Sequence, residues 1–251
     1  MTENRSHNKP LRGDQLKAMS WVAAAFFLVG LAVIAGIYFE QNTEIRGVEF
    51  KGHYYTDTEE LLGIIESPVG LLADSVDYSG LFSTISTLPY IKDVSVSMSM
   101  RGTLTLNVTE HEPLAMLVDG SSRSFVTENG IKLPVVPGKV KDVPLVYGFP
   151  ALPLTDTLSS DAYKNIEQFL LDARENKFGW LTISEVAWND REGVVALSSE
   201  NGVKLIFGHE EFDKRLEYWA NFYSEVVARK GIRSFQTIDL RYRNQIVTRE
   251  L

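Results

Sequence analysis

The residues best suited to acid–base chemistry stand together at one place in the chain, Glu110-His111-Glu112. Carboxylates and an imidazole that converge on one substrate can act as general acid and base. Here, however, the three residues end a predicted strand, and successive side chains of a strand point to opposite faces. We therefore interpret the triplet as a solvated strand end and not as a catalytic site.

Other residue types that carry out chemistry are absent or scattered. The chain has no cysteine, which excludes disulfides, thiolate zinc sites, iron–sulfur clusters and a cysteine nucleophile. No nucleotide-binding glycine loop, nucleophile elbow or metalloprotease motif occurs in the sequence. The four histidines do not have the spacing of metal ligands: His7, His53, His111 and His209. Taken together, these observations lead us to expect no catalytic residue, no metal and no cofactor.

The elements of the chain begin with an apolar segment. Ala18–Phe39 is a run of 22 residues without a charged residue, Asn, Gln or Pro. At about 1.5 Å per residue, a helix of this length crosses a hydrocarbon core of about 30 Å. We expect an uncleaved single transmembrane helix at 18–39, because Gly36–Phe39 does not resemble a signal-peptide cleavage site.

Charge predicts the orientation of that helix. Four basic and two acidic residues precede the apolar run, whereas 21 basic and 31 acidic residues follow from Glu40 onward. The positive-inside rule places the tail, residues 1–17, in the cytoplasm and the larger portion on the opposite side. The resulting net charge of −10 on that portion argues against broad nucleic-acid binding.

An α+β unit is predicted directly after the apolar run. Apolar residues alternate in three segments, as in half-buried strands, and recur at helical spacing in two segments between the first strand and the second. The order β-α-α-β-β predicts helices on one face of a three-stranded sheet. The predicted elements are a strand at Ile45–Gly52, a helix capped by Thr56-Asp57, a helix at Asp77–Leu88, and strands at Ile91–Met98 and Thr103–Thr109.

After Pro113 the pattern changes to short strands, turns and prolines. Asn129-Gly130 predicts a hairpin turn. Two amphipathic helices are predicted, at Ser160–Glu175 and Glu211–Arg229, and Gly231 follows the second as a C-cap. A β-rich domain with two amphipathic helices is therefore expected, with further strands at Ile183–Trp188, Val194–Leu197, Val203–Phe207, Phe235–Leu240 and near Asn244–Arg249.

Three stretches resemble motifs that recur in this order in one protein family. They are the strand Pro89–Val96, the strand Leu104–Ala115 with its Glu110 and Pro113, and the late Asp239-Leu240-Arg241-Tyr242. Together with Val48–Thr56 behind the predicted anchor, they make the chain similar to the FtsQ/DivIB family of bacterial cell-division proteins. The resemblance extends over essentially all 251 residues.

The resemblance implies a non-enzymatic scaffold of the divisome, located at the division septum in the bacterial cytoplasmic membrane. Its topology would be single-pass, with the N-terminus in the cytoplasm and the C-terminal domain in the periplasm. A POTRA-type domain at 40–113 would contact other divisome members. An FtsQ-type β domain at 114–251 would bind FtsB-like and FtsL-like bitopic partners, largely through its last strand, and so help control septal peptidoglycan synthesis.

The C-terminal residues fit that mechanism on physical grounds. An edge strand at Arg243–Thr248 would carry unpaired backbone groups that accept another strand. Arg229–Leu251 contains six basic and two acidic residues, a local charge of +4 that suits an acidic partner. The candidate partner-binding residues are Arg241, Tyr242, Arg243, Asn244, Gln245, Ile246 and Val247, with Arg191 on the preceding hairpin.

Alternatives remain open at this point. Arg241 and Arg243 also fit solvated charges that protect an edge strand from aggregation, with Tyr242 in the core. The whole chain also fits a membrane-anchored periplasmic cell-wall enzyme, or a POTRA component of an envelope assembly or transport system. The first would need convergent acids or a metal, and the second normally has several POTRA units and a β-barrel.

Overall fold

The computed structural model describes residues 13–41, 43–243 and 245–251. Most of the predicted tail, residues 1–12, and the candidate Asn244 lie outside the described residues. The chain divides into two compact units. The first comprises the chain up to His53 with Asp57–Ser86 and Asp93–Val108; the second comprises Tyr54–Thr56, Thr87–Lys92 and Thr109–Leu251.

The described chain begins with helix α1, Gly13–Gln41, which contains the apolar run. The side chains of α1 are described from Ser20 to Gly36. Among the described residues, no helix combines the length and the apolarity needed to cross a membrane. The transmembrane assignment of Ala18–Phe39 therefore stays a prediction.

The β-α-α-β-β order predicted after α1 is confirmed. The sheet order is β1-β3-β2, and β1 runs parallel to β3 with Phe50 opposite Leu106. The elements are β1 (Gly47–Lys51), α2 (Thr58–Ile64), a 3-10 turn (Ala73–Ser75), α3 (Tyr78–Ile85), β2 (Ile91–Met98) and β3 (Thr103–Glu110).

Local sequence explains most of these elements. The alternation in β3 buries Leu104, Leu106 and Val108, as expected for a strand covered on one face. Asp77 caps α3 by accepting a hydrogen bond from the Gly80 amide at 3.0 Å. The predicted inward face of β2 is buried only in part, since Val96 is exposed on a strand at the edge of the sheet.

The second unit is built on a nine-stranded mixed sheet of order β12-β11-β10-β9-β8-β7-β4-β5-β6. Parallel pairs join β4 to β7, β7 to β8 and β10 to β11. The strands are β4 (Ala115–Asp119), β5 (Ser122–Val126), β6 (Lys132–Leu133), β7 (Leu145–Tyr147), β8 (Ile183–Asn189), β9 (Gly193–Ser198), β10 (Lys204–Gly208), β11 (Phe235–Asp239) and β12 (Val247–Glu250).

Helices of the second unit bury their apolar stripes in one core with the strands. Phe169 of α4 (Asp161–Glu175) packs against Phe207 on β10, with the two ring centroids 4.7 Å apart and the rings tilted by 51°. Trp219 is fully buried and donates from Nε1 to the Thr182 hydroxyl at 2.8 Å. The remaining helices are α5 (Lys177–Thr182), α6 (Phe212–Phe222), a π-helical turn (Tyr223–Val227), α7 (Ala228–Lys230) and a 3-10 turn (Ile232–Ser234).

Most of the elements predicted for this unit are confirmed, with differences at four places. The strands β4 and β7 and the short helix α5 were not predicted individually. The last strand was expected near Asn244–Arg249 but occupies Val247–Glu250. The chain leaves the extended conformation before this strand, where the Arg241 backbone amide donates to the Asp239 carboxylate. The Asn129-Gly130 turn lies between β5 and β6 as predicted.

Candidate partner-binding edge

The last strand forms one edge of the nine-stranded sheet. β12 pairs antiparallel with β11, with Val247 opposite Asp239 and Thr248 opposite Ile238. It ends the strand order, so no other described strand pairs with its outer side. Three of its four side chains are exposed. This arrangement leaves backbone N–H and C=O groups along the outer side that another strand can pair with.

Most of the predicted partner-binding residues precede β12 and connect it to β11. The Leu240 amide still donates to the Ile206 carbonyl at 2.9 Å, which continues the pairing with β10. From Arg241 to Ile246 the chain then forms the connection to β12. Of the candidates, only Val247 lies within the strand itself.

A buried carboxylate shapes that connection. Asp239 accepts hydrogen bonds from the Arg241 side chain at two oxygens, from Nε at 2.9 Å and from Nη2 at 2.6 Å. It also accepts one from the Arg241 backbone amide at 3.2 Å. The side-chain hydrogen bonds to Asp239 raise the pKa of Arg241. Arg241 is therefore held in one orientation at the start of the connection.

Arg241 and Arg243 line a small basic pocket beside the edge. Its volume is about 320 Å³, and four of its six lining side chains are cationic. A carboxylate entering it would meet several donors at once, a geometry that favours acidic ligands. The pocket is lined by Glu211, Lys214, Arg215, Tyr218, Arg241 and Arg243.

Glu211 is the acidic residue of the basic pocket, and two cations hold it. Lys214 donates to its carboxylate at 2.6 Å, and Arg243 Nη2 lies 3.6 Å from its other oxygen. The hydrogen bond from Lys214 is the main cause that lowers the pKa of Glu211. Arg243 is the looser of the two partners, which leaves its guanidinium available to an incoming anion.

Arg215 is a pocket residue that the sequence reasoning missed. Its side chain is buried, and its Nη1 donates to the Phe207 carbonyl. Burial lowers the pKa of Arg215 from its ordinary value. A signal was present in the sequence, because Arg215 occupies the same helical stripe as Phe212 and Trp219. Arginines are rarely buried unless they are paired, so an arginine on a buried stripe indicates a polar partner inside the fold.

Two glycines allow the strands to approach the pocket closely. Gly208 has φ +83°, and a Cβ there would lie 2.4 Å from Arg215 Nη1 and 3.0 Å from Arg241 Cγ. On β9, a Cβ at Gly193 would lie 2.1 Å from the Gly208 carbonyl oxygen. Arg191 lies in the turn that ends at Gly193, and Gly193 pairs with Gly208. Because Gly208 lies next to Arg241, Arg191 and Arg241 are at the same end of the sheet.

The other candidates differ in exposure. Tyr242 is exposed, with its ring centroid 5.8 Å from the Arg241 guanidinium carbon. Gln245 and Val247 are also exposed, whereas Ile246 is half-buried and packs against the core. The structure thus places Tyr242 at the surface and Ile246 against the core.

The acid–base triplet does not converge, as the sequence interpretation expected. The Glu110 carboxylate accepts hydrogen bonds from three successive backbone amides, those of Tyr54, Tyr55 and Thr56, at 2.7–2.8 Å. Glu112 is exposed and pairs with Lys141 at 3.5 Å. Burial lowers the pKa of His111. Across the described residues, no group of three or more His, Asp or Glu side chains is arranged to hold a metal.

Comparison with protein families matches almost the whole chain after α1. A family model described as "FtsQ/DivIB, C-terminal related" matches residues 112–249. A second model, described as "POTRA domain, FtsQ-type", matches residues 43–111.

Curated relatives of similar length carry one description. The cell division protein FtsQ of Rhodothermus marinus is 26% identical over 240 residues, covering 89% of this chain and 83% of that protein. FtsQ of Salinibacter ruber is 23% identical, covering 91% and 92%. Among solved structures, the extracytoplasmic domain of DivIB from Geobacillus stearothermophilus aligns with a TM-score of 0.33 and 17% identity, covering 49% of this chain and 98% of that domain.

Proposed function

We propose that this chain, which belongs to the FtsQ/DivIB family of bacterial cell-division proteins, captures FtsB-like and FtsL-like partners at β12 from a single membrane anchor. Members of this family are non-enzymatic scaffold proteins of the divisome. Its partners are therefore proteins, and its site of action is the division site. Through those partners it would help control septal peptidoglycan synthesis.

The anchor rests on the sequence of α1. The uncharged run Ala18–Phe39 is long enough to cross the bilayer, and basic residues predominate before it. We propose that residues 1–17 lie in the cytoplasm of the cell and that everything after the run lies in the periplasm. This is the single-pass type II topology. A partner with its own single helix would then meet the C-terminal domain in the same compartment.

The observation that carries the proposal is the open edge at β12 beside the basic pocket. Strand addition supplies backbone hydrogen bonds, and these provide affinity with little dependence on the added sequence. Specificity has to come from side chains, and the pocket with Arg243 at its mouth favours an acidic residue on the partner. The alternative is that the charges at this edge serve only to prevent aggregation. That role does not require a pocket beside the strand.

Within this proposal the candidate residues take different parts. Arg243 and Arg191 are exposed and would attract and pair with acidic side chains. Arg241 is already paired with Asp239, so we assign it to shaping the pocket and orienting the connection. Tyr242 offers an exposed ring of the kind that anchors interfaces. We further propose a POTRA-type domain at 40–113 for other divisome members and the β domain at 114–251 for this edge.

A single amide provides the sharpest test of strand addition. The Leu251 amide donates inward, to the Ser234 carbonyl at 3.2 Å. Because amide directions alternate along a strand, the amides of Thr248 and Glu250 point outward. Thr248→Pro therefore removes an outward donor and leaves inward ones in place. We expect it to weaken co-purification with coexpressed FtsB-like and FtsL-like proteins about fivefold, since one hydrogen bond is worth about 1 kcal/mol.

The matched control is Thr248→Val, which keeps the amide and should bind like the natural chain. The thermal midpoint of each variant, followed by circular dichroism, checks that β12 still pairs with β11. Undiminished binding by a folded Thr248→Pro variant would overturn strand addition. Deleting Tyr242–Leu251 is a blunter test, because it also removes Ile246 from the core.

A further inference from the structure

Exposed aliphatic side chains lie on two neighbouring loops of the first unit. Val69, Leu71 and Leu72 are exposed on the loop between α2 and α3. Met100, in the turn between β2 and β3, is 83% exposed. Water-exposed apolar groups gathered in one region commonly mark a surface that is covered in the working protein. We call Val69–Leu72 together with Met98–Arg101 the aliphatic face.

Backbone hydrogen bonds bind both loops to the few residues that follow α1. The Ile45 amide donates to the Leu71 carbonyl at 2.9 Å, and the Ala73 amide donates to the Thr43 carbonyl at 3.1 Å. On the other side, the Arg46 amide donates to the Gly102 carbonyl at 2.8 Å. The segment Thr43–Arg46 therefore lies between the two loops of the aliphatic face.

The distance from this face to the end of α1 is short. α1 ends at Gln41, and an extended chain spans at most about 3.5 Å per residue, so Thr43 lies within about 7 Å of the helix end. If α1 crosses the bilayer, as proposed above, the aliphatic face cannot be far from the lipid surface.

Two basic residues accompany the aliphatic face. Arg46 and Arg101 are exposed beside the aliphatic side chains, where they can pair with anionic headgroups. The exposed acidic residues nearby include Glu44, Glu66, Asp74 and Asp77. An open cleft of about 560 Å³ lies between α1 and the β2–β3 turn. Its lining is mostly small and apolar: Ala32, Ala35, Gly36, Thr43, Met98, Ser99 and Met100.

We propose that the aliphatic face rests in the outer surface of the membrane, with Leu72 and Met100 inserted between lipid headgroups and acyl chains occupying the cleft. The proposal depends on the anchor in the proposed function but not on partner binding at β12. Interfacial segments elsewhere insert apolar side chains to about this boundary, while basic residues remain at headgroup level. Lipid contact would set the orientation of the first unit on the membrane.

Because the chain has no cysteine, single introduced cysteines can carry a spin label at chosen positions. The test uses the full chain in liposomes of phosphatidylethanolamine and phosphatidylglycerol. Electron paramagnetic resonance measures collisions of each label with oxygen, which enters lipid, and with a water-soluble nickel chelate. Labels at Met100 and Leu72 report on the aliphatic face, and a label at Val29 reports on α1. A label at Lys51 is the reference, because Lys51 is exposed and lies about 13 Å from Gly47 along β1.

We expect the oxygen-to-nickel accessibility ratio at Met100→Cys and Leu72→Cys to exceed that at Lys51→Cys severalfold. Adding Leu72→Asp to the Met100→Cys chain should lower its ratio towards the Lys51→Cys value. Equal ratios at all three surface positions, with a lipid-exposed label at Val29→Cys, would overturn this inference alone. A water-exposed Val29→Cys label would instead overturn the anchor of the proposed function.

Discussion

The two edges of the nine-stranded sheet are protected in different ways. At one end, β6 contains only two residues, Lys132 and Leu133, and both are buried. The chain returns over this end, where Lys132 Nζ donates to the Pro153 carbonyl at 3.3 Å and the Leu158 amide donates to the Gly130 carbonyl at 2.9 Å. At the other end, β12 is longer and mostly exposed.

This difference indicates which edge is available to a partner. A sheet edge invites pairing with another chain, and proteins usually cover it, shorten it or charge it. The β6 edge is both short and covered, so it offers little backbone for strand addition. The β12 edge relies on side-chain charge, with Arg249 and Glu250 exposed. Charge repels identical chains but admits a partner with complementary residues.

The largest effect is expected where the covered edge depends on close backbone contact. Gly130 has φ +72°, and a Cβ there would lie 2.2 Å from the Leu158 carbonyl oxygen. We expect Gly130→Ala to cost about 3 kcal/mol of unfolding free energy, because it adds a backbone clash to the strain of a positive φ. Urea denaturation of the full chain in detergent, followed by tryptophan fluorescence, measures the loss.

Gly138→Ala is the matched control for that substitution. Gly138 has φ +82° but no atom within 4 Å of its Cβ position, so only the strain remains, about 1 kcal/mol. The difference between the two variants isolates the contact with Leu158. If both lose the same stability, the segment over β6 does not cover the edge tightly and the contrast between the edges fails.

A moderate effect is expected at the open edge, from the pair Asp239–Arg241. Its two hydrogen bonds are short, and the Arg241 side chain is only 29% exposed. A double-mutant cycle of Asp239→Ala and Arg241→Ala should give a coupling energy of about 1–2 kcal/mol in unfolding experiments.

The pair Glu211–Arg243 supplies the comparison for that cycle. Its atoms are 3.6 Å apart and the Arg243 side chain is 82% exposed, so its coupling energy should be close to zero. A coupling energy near zero would mean that Arg243 is available to a partner, whereas Arg241 stabilises the fold through Asp239. Strong coupling of Arg243 to Glu211 would instead mean that the protein itself occupies the pocket mouth.

The smallest effect concerns the titration of Glu211. Its pKa is lowered first by Lys214 and less by Arg243. A carboxyl group whose folded-state pKa is lowered contributes stability above the ordinary glutamate pKa, and this is lost as pH falls through the lowered value. Carboxyl-carbon NMR should show the Glu211 midpoint rising more in Lys214→Ala than in Arg243→Ala. The reverse order would make Arg243 the tighter partner and remove it from our partner-binding set.

Much of the fold was readable in the sequence because it depends on local periodicity and capping. The alternation of Leu104, Leu106 and Val108 predicted β3, and Ser160 predicted the start of α4, where it accepts a hydrogen bond from the Tyr163 amide at 3.2 Å. Short strands such as β7 have only three residues, too few for a period to emerge. They form because longer neighbours pair with them on both sides.

The candidate site was predicted less completely for a related reason. Arg241 and Arg243 looked equivalent in the sequence, with one residue between them on a basic segment. Their roles diverge because Asp239 is buried beside one of them and Glu211 lies near the other. Arg215 was missed because its helix is distant in sequence from the segment and meets it only in the fold, where Gly208 lies next to both Arg215 and Arg241. Such pairings follow from packing, which no local pattern encodes.

The sequence by itself determined the order of the elements in the first unit, the uncharged run in α1 and the reversal of charge near the C-terminus. These properties depend on residues close together in the chain. Only the tertiary structure decided that β12 is an edge, that β6 is a covered edge, and that the aliphatic face lies next to the residues leaving α1. Alternation in a strand specifies which side is buried but not which strand lies beside it. The neighbour is chosen by the packing of α4 and α6 on the sheet and by the close contacts that glycines such as Gly208 permit.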